Sequence, residues 1–245
     1  DPEKTLEASL VLYAQVMRAI PEDLPPAPDE DLLDAAFARR VKRRLAILGG
    51  TTTWSDCLVA LRHLATPSSL VEGEQIEEFE TSFARETEAL FAHTFWAGRV
   101  GLFAILKGLG IGEGDEVLVP VPTHVVVPNA VRYTGAKPVY VDCRLEDYNM
   151  DLARASELVT DRTRALVLQH TFGIPGDLDG ALELGERHGL HVIEDCVHSL
   201  GARYRGRPVG SYGRAAFFSI EETKIISTTM GGMVLTPDVA LADLE

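Results

Sequence analysis

The stretch HTFWAGRVGLFAILKGLGIGEGDEVLVPVPTH, residues 93–124, decides how the chain folds. After Ala97, Gly98 and Arg99 the apolar residues recur at helical spacing. A glycine-rich turn follows, and then a β-branched run over 117–121 that is too short for a helix. Short runs of the same kind return at 138–142, 165–169 and 191–194, with helix-like segments between them. This alternation predicts an α/β fold with three α/β/α layers, a mostly parallel sheet covered by helices. GLGIGEGDEV is glycine-rich, but it precedes a strand instead of joining a strand to a helix, and its spacing misses the dinucleotide fingerprint.

Open sheets of this kind bind ligands at the carboxyl ends of their strands. In HVIEDCVHSLGARYRGRPVGS, residues 191–211, an apolar run ends in Glu194 and Asp195 and His198 follows. An aspartate there can hold a protonated pyridine nitrogen, which makes a pyridoxal ring an electron sink. It can equally cap the next helix. In FFSIEETKIISTTMGG, residues 217–232, Lys224 stands a few residues beyond a strand-like run and beside Ser219. A partly desolvated lysine can lose its proton near neutral pH and form a Schiff base with an aldehyde, whereas a solvated surface lysine does neither. The small residues at Ala97 and Gly98 open a helix whose free N–H groups suit an anion, and plain capping would need no more. His170 in QHTFG lies at a strand end and reads either as a ligand contact or as a satisfied core histidine. His188, His191, Asp195 and His198 are rejected as a metal cluster, because His188 should end a helix and His191 begin a strand. No metal is expected. Trp54 and Trp96 read as packing residues.

Taken together, GIGEGDEV, GAKPVYVDC, HTFGIPGDLD, IEDCVHSLGA and FFSIEETK, in that order, resemble the DegT/StrS family of sugar aminotransferases. These are pyridoxal 5'-phosphate enzymes of fold type I, in the aspartate aminotransferase superfamily. The resemblance runs from about Ile76 to Pro237. It implies that Lys224 is the internal aldimine lysine, Asp195 the partner of the pyridine nitrogen and His198 the neighbour of the ring's phenolic oxygen. Ser219 and the backbone at Gly98 and Arg99 would hold the phosphate, and His124 falls where the family stacks an aromatic residue on the ring. The implied reaction moves an amino group from an amino acid donor to a keto sugar, nucleotide-linked, or to a related intermediate of natural product biosynthesis. The alternatives are elimination or carbon–carbon chemistry on an amino acid, or a non-catalytic partner subunit that keeps the fold.

The chain also departs from the family. Where serine, glycine and threonine are usual it has Ala97, Gly98 and Arg99. After the lysine it has Ile225 for the common asparagine, and Thr229, Met230, Gly231 and Gly232 for a Gly-Glu-Gly-Gly turn. Relatives that dehydrate sugars carry histidine at the lysine position, so Lys224 favours transamination. The resemblance divides the chain into an N-terminal helical extension over 1–75 and a cofactor-binding large domain over 76–245, with a smaller C-terminal domain missing. It also implies a homodimer with a shared active site.

Composition restricts the alternatives. The chain has 245 residues, 46% of them apolar, and no apolar run approaching the roughly 20 residues of a membrane helix, so a soluble protein with a sizeable core is expected. A net charge of −14 argues against a nucleic-acid surface. Cys57, Cys143 and Cys196 are odd in number and far apart, which favours a reducing, cytoplasmic compartment over a disulfide framework. Helices are expected over 5–20 and 29–48, either side of PEDLPPAPDED, and helical spacing continues from Ile76 to Ala92.

Overall fold

The computed structural model describes residues 54–65 and 73–242. All of them belong to one compact unit, Ala46–Glu245. The helices expected over 5–20 and 29–48 lie outside the described residues. Helix α1 (Trp54–Ala65) comes first, followed by α2 (Glu74–Thr87), whose Glu74 and Glu77 complement the positive end of its dipole. α2 stops where Thr87 Oγ1 donates back to the Phe83 carbonyl and Glu88 turns left-handed. The helical spacing expected to reach Ala92 is thus cut short. Phe91–Phe95 form strand β1 instead, an element the sequence reading missed.

From there the predicted alternation holds. The chain runs through α3 (Gly98–Gly108), β2 (Glu116–Pro120), α4 (Val126–Tyr133), β3 (Lys137–Val141), α5 (Leu152–Glu157) and β4 (Thr163–Gln169). It continues with α6 (Leu178–His188), β5 (His191–Asp195), a small hairpin of β6 (Arg203–Tyr204) and β7 (Arg207–Pro208), β8 (Ala215–Ser219), β9 (Gly232–Thr236) and α7 (Val239–Ala242). Local chemistry sets the ends. Asp177 caps α6 by accepting from the Gly180 amide, and Gly189 closes it in the left-handed conformation. His188 therefore ends a helix and His191 opens a strand, as the spacing suggested.

The seven-stranded sheet has the order β1-β9-β8-β5-β4-β2-β3. β3, β2, β4, β5 and β8 are mutually parallel, and β9 is antiparallel to both of its neighbours. Alternate strand residues feed two cores. Leu118, Leu166, Leu168, Val192 and Phe218 pack on one face with α6 residues such as Leu178 and Leu184. Val117, Val119, Val167, Ile193 and Phe217 pack on the other with Leu102 and Ile105 of α3 and Val131 of α4. Phe83 of α2 meets Phe218 edge to face, with ring centroids 5.2 Å apart. This is the expected three-layer α/β/α arrangement. No helix among the described residues is long and apolar enough to cross a membrane.

Candidate active site

The carboxyl ends of β2, β4, β5 and β8 open on one side of the sheet, together with the amino end of α3. They enclose a cavity of about 570 Å³. All seven residues singled out from the sequence line it: Gly98, Arg99, His124, Asp195, His198, Ser219 and Lys224.

Asp195 is the last residue of β5, paired in register with Gln169 on one side and Phe217 on the other. It is only 1% exposed, and Oδ1 accepts from the Val197 amide at 3.1 Å. Burial pushes its pKa up to about 6, opposed by the Val197 hydrogen bond and by His170 and Lys224. No helix follows it, so the capping alternative does not apply.

Lys224 comes from the loop between β8 and β9, which closes on itself through Ile220 N–H to Gly231 O and Thr228 N–H to Ile220 O. Its side chain is 16% exposed, and Nζ lies 3.2 Å from His198 Nε2 and 3.7 Å from Glu221 Oε1. Partial burial, with the neighbouring Lys224 and His124, holds the His198 imidazole below the usual histidine range, against an opposing pull from Glu221. An imidazole neutral at ordinary pH can accept a hydrogen bond from the lysine at Nε2.

At the other end, Ala97 and Gly98 pass tightly between β8 and β9. A Cβ on Gly98 would sit 2.8 Å from the Phe218 carbonyl oxygen, and one on Gly232 would sit 2.4 Å from the Gly98 nitrogen. Both sites need glycine for close approach. The Val100 and Gly101 amides bond to the Ala97 carbonyl, whereas the Gly98 and Arg99 amides have no such partner among the described residues. The Arg99 side chain lies over the Trp96 ring, 5.9 Å from its centroid. Trp96 is 61% exposed and lines the cavity, and Trp54 is exposed as well, so neither tryptophan is a packing residue.

His170 is a core residue. Its Nδ1 accepts from the Gly176 amide at 3.0 Å, so Nε2 carries the proton and donates to Glu194 Oε2 at 3.1 Å. Strand alternation turns Glu194 away from Asp195. Its two oxygens also accept from the amides of Gly210, Tyr212 and Gly213. Burial alone would raise the Glu194 carboxyl, but the His170 contact and these amides outweigh it and hold it below the usual range. His170, Glu194 and Cys196 bring their ligand atoms within 4.8 Å of one another. The nitrogens of His170 and the oxygens of Glu194 are engaged in these hydrogen bonds, and burial pushes the Cys196 thiol well up. The trio therefore reads as a structural cluster. His188 and His191 lie at the opposite end of β5 from Asp195 and do not join it.

Other lining residues escaped the sequence reading. Gln169 accepts from Thr123 Oγ1 at 2.7 Å and donates to the Pro122 carbonyl and Thr171 Oγ1, tying the loop after β2 to the end of β4. Phe172 and Glu221 also face the cavity. The strand-end position of Gln169, next to the His170 that was considered, was the available signal.

The sequence profile of the DegT/DnrJ/EryC1/StrS aminotransferase family matches residues 55–245. A GDP-perosamine synthase of Escherichia coli O157:H7 is 40% identical over 172 residues, covering 70% of this chain and 47% of that protein. One from Caulobacter vibrioides is 43% identical over 170 residues, covering 69% and 46%. The crystal structure of an aminotransferase from Psychrobacter cryohalolentis superposes with a TM-score of 0.75 at 34% identity, covering 79% of this chain and 49% of that one. The chain thus spans about half the length of the relatives it matches. With five motifs in order, a matching sheet and the extent of these similarities, the chain belongs to the DegT/DnrJ/EryC1/StrS aminotransferase family.

Proposed function

We propose that residues 76–245 form the cofactor-binding domain of a pyridoxal 5'-phosphate aminotransferase that transfers an amino group from an amino acid to a keto sugar carried on a nucleotide. The observation that carries this reading is the convergence of Lys224, His198 and Asp195 in one cavity that ends at two helix amides without a partner among the described residues. The residues fit the cofactor. Gly98, Arg99 and Ser219 line the cavity at the head of α3, where helix amides suit a phosphate. Asp195 is a buried carboxylate with no ion-pair partner among the described residues, and a pyridinium nitrogen would relieve its burial penalty. When bound, pyridoxal phosphate supplies an aldehyde carbon and a conjugated ring that takes up an electron pair.

The chain's own residues supply the rest. Asp195 would hold the proton on the ring nitrogen, and the Gly98 and Arg99 amides with the Ser219 hydroxyl would orient the phosphate. His124, exposed on the loop after β2, lines the cavity and would contact the ring. The Lys224 amine would take the proton from the donor's α-carbon and return it in the reverse half-reaction with the sugar, as a neutral amine can. The names of the GDP-perosamine synthases support a nucleotide-linked substrate. The unpaired thiols of Cys57, Cys143 and Cys196 support a cytoplasmic location. Exposed Val125, Ile225 and Met230 support a partner protomer that covers this edge and completes the site in a homodimer.

The test is an absorbance spectrum of the purified protein with added cofactor, before and after borohydride, followed by peptide mapping. Mass spectrometry of nucleotide-linked keto sugars incubated with glutamate completes it. A reduced adduct on Lys224 and an aminated sugar are expected. An adduct elsewhere, or none, would overturn the reading.

A further inference from the structure

Phe172 has a backbone that phenylalanine avoids. Its φ of 53° and ψ of 25° are left-handed, where Cβ crowds the neighbouring carbonyl. Burial does not compensate, since the residue is 72% exposed. The turn is held by its surroundings. Asn149, fully buried, accepts from the Thr171 amide at 2.9 Å and donates to the Ile174 carbonyl at 3.2 Å. Thr171 Oγ1 donates to the Tyr148 carbonyl at 3.0 Å. The next residue, Gly173, lies so close to the following strand's loop that a Cβ would sit 3.0 Å from the His198 carbonyl oxygen.

This clamped turn produces a stack. The rings of Phe172 and His198 are offset and nearly parallel, with centroids 6.3 Å apart and planes 12° apart. The same imidazole presents Nε2 to Lys224 Nζ at 3.2 Å. Strain of this kind persists only where neighbouring contacts over-determine it, and it gathers at working sites. We propose that Phe172 is a positioning residue: its ring, held flat on the His198 imidazole by the turn that Asn149 clamps, keeps Nε2 of His198 directed at Lys224. Its importance for amino transfer rests on the reading of Lys224 given above, whereas the placement of the imidazole does not.

The charged and titratable groups facing the imidazole are Lys224 and Glu221 from the loop after β8 and His124 from the loop after β2. Phe172 is the uncharged ring stacked beside it. Removing the Phe172 ring exposes the imidazole further, so the His198 titration is expected to move up toward the ordinary histidine range.

The experiment follows His198 by NMR in the cofactor-free, full-length protein carrying ¹³C-labelled histidine, for the wild type, F172G and F172Y. Glycine fits a positive φ, so F172G is expected to hold or raise the melting temperature while the His198 midpoint rises. F172Y is expected to keep the wild-type titration. With cofactor bound, F172G is expected to slow single-turnover amino transfer on the order of tenfold. An unchanged His198 titration in F172G, or an equal shift in F172Y, would overturn the proposal. Borohydride trapping at Lys224 of the wild type is scored separately, and its failure would remove the aminotransferase reading while leaving the His198 result intact.

Discussion

Nζ of Lys224 and Nε2 of His198 lie 3.2 Å apart although 26 residues separate them in the chain. The loop after β8 and the turn after β5 exist side by side because β5 and β8 pair in parallel, Asp195 against Phe217. A parallel pair brings two carboxyl ends to one edge, so a lysine from one motif shares a cavity with a histidine and an aspartate from another. The lysine amine is tied to a neutral acceptor, while the Glu221 carboxylate stands farther off at 3.7 Å.

Replacing Lys224 with alanine is expected to leave folding intact, because the side chain belongs to a loop and contributes to neither core. Amino transfer should fall by about 10²- to 10⁴-fold, the range for a lost general acid and base, and borohydride should fix no cofactor to the protein. Thermal melting alongside a single-turnover assay checks both. Amino transfer that survives the substitution would sink the assignment.

Asp195→Asn is expected to stabilise the cofactor-free protein while weakening cofactor binding. The folded pKa of about 6 lies above the ordinary aspartate value, so below the unfolded value both states are protonated and the residue is neutral in effect. As pH rises through the folded value, ionisation of the buried carboxyl comes to oppose folding by about 3 kcal/mol. The variant should therefore melt above the wild type at neutral pH and match it near pH 4. Urea titrations at the two pH values, with a cofactor-binding isotherm, decide the matter.

Much of this arrangement is legible in the sequence, for physical reasons. The β-branched runs and helical spacings yielded every parallel strand between β2 and β5, and the ordered motifs put Lys224, Asp195 and His198 in one place. β1 was hidden because its FAHTF has no period-2 pattern and follows a helix that ends on the Thr87 hydroxyl and a left-handed Glu88. The structural role of Glu194 was hidden, since its partners are amides at 210, 212 and 213, brought to it by the chain's return. The left-handed turn at Phe172 was equally invisible, because phenylalanine carries no turn signal and the clamp is the distant Asn149.

Glu194→Gln is expected to cost stability and to spare the cavity. The amide nitrogen of glutamine would turn a donor toward backbone N–H groups that now find a carboxylate, leaving buried groups unpaired at about 2–4 kcal/mol. The Glu194 carboxyl is held below its usual range, so its contribution is present above the unfolded value and fades as pH falls through the folded one. The gap between wild type and variant should accordingly narrow in acid. Urea midpoints at pH 7 and pH 4 check this, and a gap that widens in acid would contradict it.

Gly98→Ala and Arg99→Ala separate the backbone from the guanidinium at the head of α3. A methyl at Gly98 would meet the Phe218 carbonyl oxygen at 2.8 Å, and a backbone atom cannot rotate away, so α3 must shift at about 1–3 kcal/mol. Affinity for pyridoxal phosphate should fall sharply, while reaction of unphosphorylated pyridoxal with Lys224 changes little. The Arg99 guanidinium rests on the exposed Trp96 ring, a contact of about 0.5–1 kcal/mol, and its amide is unaffected by truncation. Arg99→Ala should then keep phosphate-dependent affinity within about threefold, an amount below 1 kcal/mol. Binding isotherms with both cofactor forms discriminate these cases, and a large loss confined to Arg99→Ala would mean that the side chain, not the helix amides, holds the phosphate.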